Sequence, residues 1–278
     1  MPTASTSSSI PPESSEPLAQ RVVLRGPTGQ DAIARVMDLG TGAPAVFLHG
    51  LVGVNEHWLE VASRVQNRFR CILLEVPLLE LRGEDCSVDG VTDMVARYLL
   101  EHVEEPAVLV GSSFGGHVAL RIAIQRPDLV RGLVLVGSSG LGEKPIGGPR
   151  VKRSRAWMES TIAELFHDRS RMPAGDVDRA WAELSQRTKA KRLFRLSRSV
   201  FKDHMGGKLG QIGAPTMVLW GRQDQITLPE AAEQFADEIP DAELVWIEQC
   251  GHAPMIERPA EFADALLRFG ERLGIHAG

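Results

Sequence analysis

From about residue 22 onward, short β-branched or aliphatic runs alternate with longer amphipathic stretches, a pattern few architectures satisfy. Strands covered by helices on both faces read as apolar runs, so the alternation points to an α/β fold built on a mostly parallel sheet. Candidate strands fall at 22–25 and 32–38, which form an opening hairpin, and at 45–48, 71–76, 107–110, 132–136, 216–220 and 244–247. Helical spacing of apolar residues occupies 56–66, 88–103, 114–125, 229–238 and 259–272.

The alternation breaks at 141–208, where helical patterning continues without a convincing strand. This reads as an inserted helical lid, leaving 19–140 and 209–278 as the core domain. The lid holds 16 Lys plus Arg against 8 Asp plus Glu, about +8, so the rest carries about −13 of the net −5. Such a basic surface either attracts anionic ligands or is a solvated helical face, and the second is the plainer reading. It lacks the aromatic-interleaved pattern of nucleic-acid binders. Residues 1–18, rich in Ser, Thr and Pro, are expected to be a disordered leader, with neither the basic start nor the apolar stretch of a secretory signal.

With 278 residues, 43% hydrophobic and 24% charged, composition is that of an ordinary globular chain, and no apolar run is long enough for a membrane span. Cys71, Cys86 and Cys250 are an odd set without Cys-x-x-Cys spacing, so neither a disulfide framework nor a cysteine zinc site is suggested and a reducing, cytoplasmic setting is expected.

Chemistry concentrates in Val108-Leu109-Val110-Gly111-Ser112-Ser113-Phe114-Gly115-Gly116-His117, a strand that ends in Gly-x-Ser-x-Gly and opens into a helix. Glycines two residues either side of Ser113 let strand and helix backbones approach across a strained turn. A serine hydroxyl is a poor nucleophile without a neighbouring base held by a third group. Both candidates follow in order. Asp224 comes just after the strand Thr216-Met217-Val218-Leu219-Trp220, where open α/β sheets build their sites, and His252 follows the last strand.

With Leu48-His49-Gly50, Gly221-Arg222-Gln223-Asp224 and Gly251-His252-Ala253-Pro254-Met255-Ile256-Glu257-Arg258-Pro259, these segments make the chain resemble the α/β-hydrolase superfamily over 22–273. Within it the chain looks like the small, lidded bacterial hydrolases, which include carboxylesterases, lactonases and carbon–carbon bond hydrolases. The resemblance implies an eight-stranded sheet and a triad of Ser113 as nucleophile, His252 as base and Asp224 as its orienting acid. It also implies an oxyanion hole from the backbone N–H groups of Leu51 and Phe114, with no metal or organic cofactor. His49 and His117 read as structural, Cys250 as a packed small hydrophobe, and His167 and His204 as lid residues able to line the pocket. Trp157, Met158, Leu165, Phe166, Leu193, Phe194 and Leu196 are offered as apolar pocket walls, against the plainer reading that most of them pack the lid onto the body. Gly140-Leu141-Gly142 and Gly206-Gly207 bracket the lid as possible hinges.

The chain departs from its relatives at 75–83, where Glu75-Val76-Pro77-Leu78-Leu79-Glu80-Leu81-Arg82-Gly83 lacks the family's turn glycines, so pocket shape there does not carry over. A serine nucleophile argues against dehalogenases and epoxide hydrolases. The expected function is hydrolysis of a small carboxylic ester or lactone through an acyl-enzyme. Two alternatives stand beside it: a carbon–carbon bond hydrolase, against which Ala253 replaces the usual Trp, and a non-catalytic binder on the same fold. Oligomeric state is open.

Overall fold

The computed structural model describes residues 19–141 and 154–276. The leader at 1–18 and Gly142 of the first hinge lie outside them. Eight strands, β1 (Gln20–Arg25), β2 (Asp31–Leu39), β3 (Ala43–Leu48), β4 (Phe69–Glu75), β5 (Ala107–Ser112), β6 (Val130–Val136), β7 (Thr216–Gly221) and β8 (Ala242–Ile247), form one sheet in the order β1-β2-β4-β3-β5-β6-β7-β8. The β1–β2 and β2–β4 pairs are antiparallel; every other pair is parallel. The expected hairpin and mostly parallel sheet are therefore present.

Helices α1 (Leu59–Val65), α2 (Val88–His102), α3 (Phe114–Gln125), α4 (Arg155–Ala163), α5 (Asp176–Leu184), α6 (Arg187–Lys202), α7 (Pro229–Glu238), α8 (Pro254–Glu257) and α9 (Pro259–Arg272) connect or cover the strands. Expected helix 56–66 starts late, because Asn55–Trp58 winds as a tighter 3₁₀ turn before α1. Strand residues alternate between two cores. Val46, Leu48 and Leu109 join α2, α3 and α7, whereas Ala45, Phe47, Val108 and Val110 join α1 and α9. Each fully buried aliphatic or Phe side chain contributes about 1.5–3 kcal/mol.

Between β6 and β7, described residues 154–208 hold α4, α5 and α6 and no strand. The end of α6 is tied to the helix that follows Ser113. There Asp203 accepts from His117 Nε2 at 3.1 Å and Lys208 Nζ at 3.0 Å, and Arg121 also pairs with it. His117 is fully buried, as its structural reading requires. These three donors, His117 first, hold the Asp203 carboxyl well below the usual carboxylate range.

A carboxyl depressed in the folded state contributes stability that is present above the unfolded value of about 4 and lost as pH falls through the folded one. Asp203→Asn is expected to lower the urea midpoint at pH 7, and the gap to wild type should narrow as pH drops toward 3. A gap constant with pH would mean that the charge of Asp203 is not its contribution.

Candidate active site

Ser113 joins β5 to α3 at φ 52° and ψ −114°, a conformation that costs a non-glycine residue on the order of 1–3 kcal/mol. Glycine on both sides makes the turn possible. A Cβ on Gly111 would lie 2.5 Å from the Gly115 carbonyl, and one on Gly115 would strike the Leu48 carbonyl. The turn is also braced from outside. Ser113 N–H donates to Val136 O at 3.0 Å, while the Ser113 carbonyl accepts from Ser139 N–H and Ser139 Oγ, each at 3.1 Å.

Asp224 and His252, 28 positions apart, meet at the carboxyl ends of β7 and β8. His252 Nδ1 lies 2.7 Å from Asp224 Oδ2, and the two residues are 7% and 3% exposed. The other carboxylate oxygen, Oδ1, accepts from the Ile226 and Thr227 N–H groups at 2.8 and 3.1 Å. An ionised carboxylate accepts only, so His252 Nδ1 carries the proton and Nε2 is left with a free lone pair. The Thr227 hydroxyl lies 2.8 Å from Asp224 Oδ2 and 3.1 Å from the Gly137 carbonyl, and its single proton serves one of them. Thr227 escaped the sequence reading. An Asp followed three positions later by Thr is a local turn signal that was there to be used.

His49 is structural. Val76 N–H donates to its Nε2 at 3.1 Å, which requires the proton on Nδ1, where it donates to the Gly50 carbonyl at 2.6 Å. Burial pushes this imidazole below its ordinary value, so it stays neutral and shapes the turn that precedes Leu51. Leu51, Ser113 and His252 line one cavity of about 100 Å³. Phe114 opens α3, and its side chain is buried in the core of the body. Its backbone N–H follows Ser113 at the positive end of the helix dipole.

Of the expected apolar walls, Leu165 and Phe166 line the cavity. Met158, Leu193 and Leu196 are instead buried in the two cores, as the packing alternative has it, and Trp157 and Phe194 do not line the cavity. Ile162, Trp58, Met255 and Ile256 take their place. His167 and His204 do not line the cavity either; His204 Nδ1 accepts from Gly206 N–H at 3.0 Å. Loop 75–83 likewise stands off. Its Leu79 carbonyl accepts from Arg192 of α6 at 2.7 Å, and Glu80 pairs with Lys189. Among the described cations of 154–208, Arg179 alone lines the cavity, which favours the solvated-face reading of the basic surface.

A second acid was missed. Glu257, 2% exposed, accepts from Gly251 N–H at 2.7 Å and from Asp168 N–H at 2.9 Å, and His252 N–H donates to the Leu165 carbonyl at 2.7 Å. The histidine loop and segment 165–168 are thereby joined. Cys250 packs beside Glu257 with its thiol pushed up by burial, as befits a small hydrophobe. Arg222 stacks on Trp246 at 3.9 Å and pairs with Glu248. Among the described residues, no group of three His, Cys, Asp or Glu is arranged to hold a metal ion, and no helix is long and apolar enough to cross a membrane.

A strained serine at a strand-to-helix turn, beside a paired histidine and carboxylate at the carboxyl edge of a mostly parallel sheet, defines a hydrolase-type α/β protein. The alpha/beta hydrolase family model matches residues 45–265, and the chain belongs to that family. It is 26% identical over 247 residues to the pimeloyl-[acyl-carrier protein] methyl ester esterase of Nitrosomonas europaea, covering 80% of this chain and 94% of that one. It is also 26% identical over 261 residues to the 2-hydroxy-6-oxononadienedioate/2-hydroxy-6-oxononatrienedioate hydrolase of Comamonas testosteroni, covering 84% and 89%. Among solved structures, an alpha/beta hydrolase enzyme from a sediment metagenome of the Mar Chica lagoon, Morocco, matches with TM-score 0.71 and 28% identity over 87% of this chain and 97% of that one.

Proposed function

We propose that this protein is a serine hydrolase that cleaves a small carboxylic ester or lactone through an acyl-enzyme. The observation that carries the reading is that His252, held 2.7 Å from Asp224, lines the same cavity as Ser113. In this mechanism His252 Nε2 takes the proton from Ser113 Oγ as the oxygen attacks the ester carbonyl. Asp224 holds the ring's tautomer and stabilises the imidazolium. The N–H groups of Leu51 and Phe114 receive the oxyanion, each worth on the order of 10²–10³ in rate. The alcohol leaves with the proton from His252, which then activates water to release the acid. Segment 154–208 acts as a lid over this cavity, whose size, small against the roughly 300–1,000 Å³ of ligand pockets at large, fits a short substrate.

A series of p-nitrophenyl esters from acetate upward, with a serine-directed phosphonate in parallel, tests this. Saturable turnover and stoichiometric labelling of Ser113 are expected. Labelling without ester turnover would favour the carbon–carbon bond hydrolase, a reading supported by relatives named as hydrolases of 2-hydroxy-6-oxo unsaturated acids. Absence of both would point to the binder.

A further inference from the structure

The catalytic cavity has a neighbour. A groove of about 410 Å³ opens on the surface beside it, lined by Arg35, Glu56 and Glu60 of the body and by Pro173 and Gly175 just before α5. Cavity and groove share five residues: His57, Asp176, Arg179, Met255 and Ile256. Residues that line two spaces are the partition between them.

The polar part of this partition spans body and lid. His57 belongs to the 3₁₀ turn before α1, and its Nε2 lies 3.0 Å from Asp176 Oδ2 and 3.2 Å from Oδ1 at the start of α5. Arg179, one turn further along α5, donates to Asp176 Oδ1 at 3.2 Å. The His57 and Asp176 side chains are only 16% and 13% exposed. Although burial opposes it, the donors His57 and Arg179 keep the Asp176 carboxyl below the usual range. A buried carboxylate with two donors is costly to leave unpaired, so the bridge holds α5 against the body.

We propose that the His57–Asp176–Arg179 bridge is the end wall of the substrate pocket and sets the longest chain the enzyme accepts. The proposal rests on the serine-hydrolase reading for its substrate, although the wall itself is a matter of shape. With the bridge in place a straight chain entering from Ser113 stops at it. Without the bridge, the chain runs on into the groove.

His57→Ala and Asp176→Ala, compared with wild type on p-nitrophenyl acyl esters and on n-alkyl acetates of increasing length, test the wall. In one of the two series the variants should move the chain-length optimum upward. Relative kcat/KM should rise by about fourfold for each methylene newly accommodated, the factor that burying one CH₂ supplies. His57→Gln, which keeps a donor near the Nε2 position, should retain the wild-type limit. Unchanged profiles in both series, or an equal shift in His57→Gln, would overturn the proposal.

Binding of straight-chain carboxylic acids and alcohols to the Ser113→Ala protein by calorimetry needs no turnover. In one of the two ligand series, affinity should climb with length, break, and lose the break when His57→Ala is added. Steady growth through all lengths in the intact wall would sink the proposal even if ester turnover is found. A break without turnover in any ester series would retain the wall and remove the hydrolase reading instead.

Discussion

Ser113→Ala is expected to lower kcat on p-nitrophenyl acetate by a factor on the order of 10⁵–10⁶ while leaving the melting temperature within a degree or two. The size follows from the nucleophile role proposed for Ser113; what survives its loss is the residual catalysis of binding and oxyanion stabilisation. Stability is spared because every hydrogen bond that Ser113 contributes to the turn is a backbone one, to Val136, His117 and Ser139, and alanine keeps all of them. Alanine also keeps the strain at φ 52°. Ser113→Gly removes it, so that variant should be equally inactive yet about 1 kcal/mol more stable than Ser113→Ala. A loss of kcat smaller than tenfold would place the nucleophile elsewhere.

Asp224→Asn is expected to cost on the order of 10⁴ in kcat with little change in KM. The geometry explains why an isosteric change is so damaging. Ile226 and Thr227 N–H groups fix Oδ1 as an acceptor, so the asparagine carbonyl must take that place and its NH₂ must face His252. A donor there forces Nδ1 to accept, which moves the ring proton to Nε2 and removes the lone pair that would take the serine proton. Stopped-flow measurement of acylation should show the defect in the acylation step. Retention of more than a tenth of wild-type kcat would mean that another group orients the histidine.

Elements governed by nearest neighbours along the chain were legible in advance. The apolar runs located all eight strands, and helices α3, α7 and α9 fall where the spacing of apolar residues placed them. The pairing of Asp224 with His252 was also foreseeable, since each follows a strand and parallel strands deliver their carboxyl ends to one edge. The helical stretch between β6 and β7 was harder to read. Apolar residues at helical spacing show that a face is buried, not what buries it, so pocket wall and packing were both open for Met158, Leu193 and Leu196 until the structure put them in the cores.

Local pattern thus determined the class of fold, and the Ser113, Asp224, His252 order pointed to where its chemistry is proposed, because periods of 2 and 3.6 residues and the glycines of a tight turn are properties of short segments. Packing alone decided the rest. His57 and Asp176 are 119 positions apart, and Asp168 and Glu257 are 89 apart. Whether such residues touch depends on how whole helices settle on the sheet, where many apolar contacts of similar strength compete. No window of sequence holds both partners.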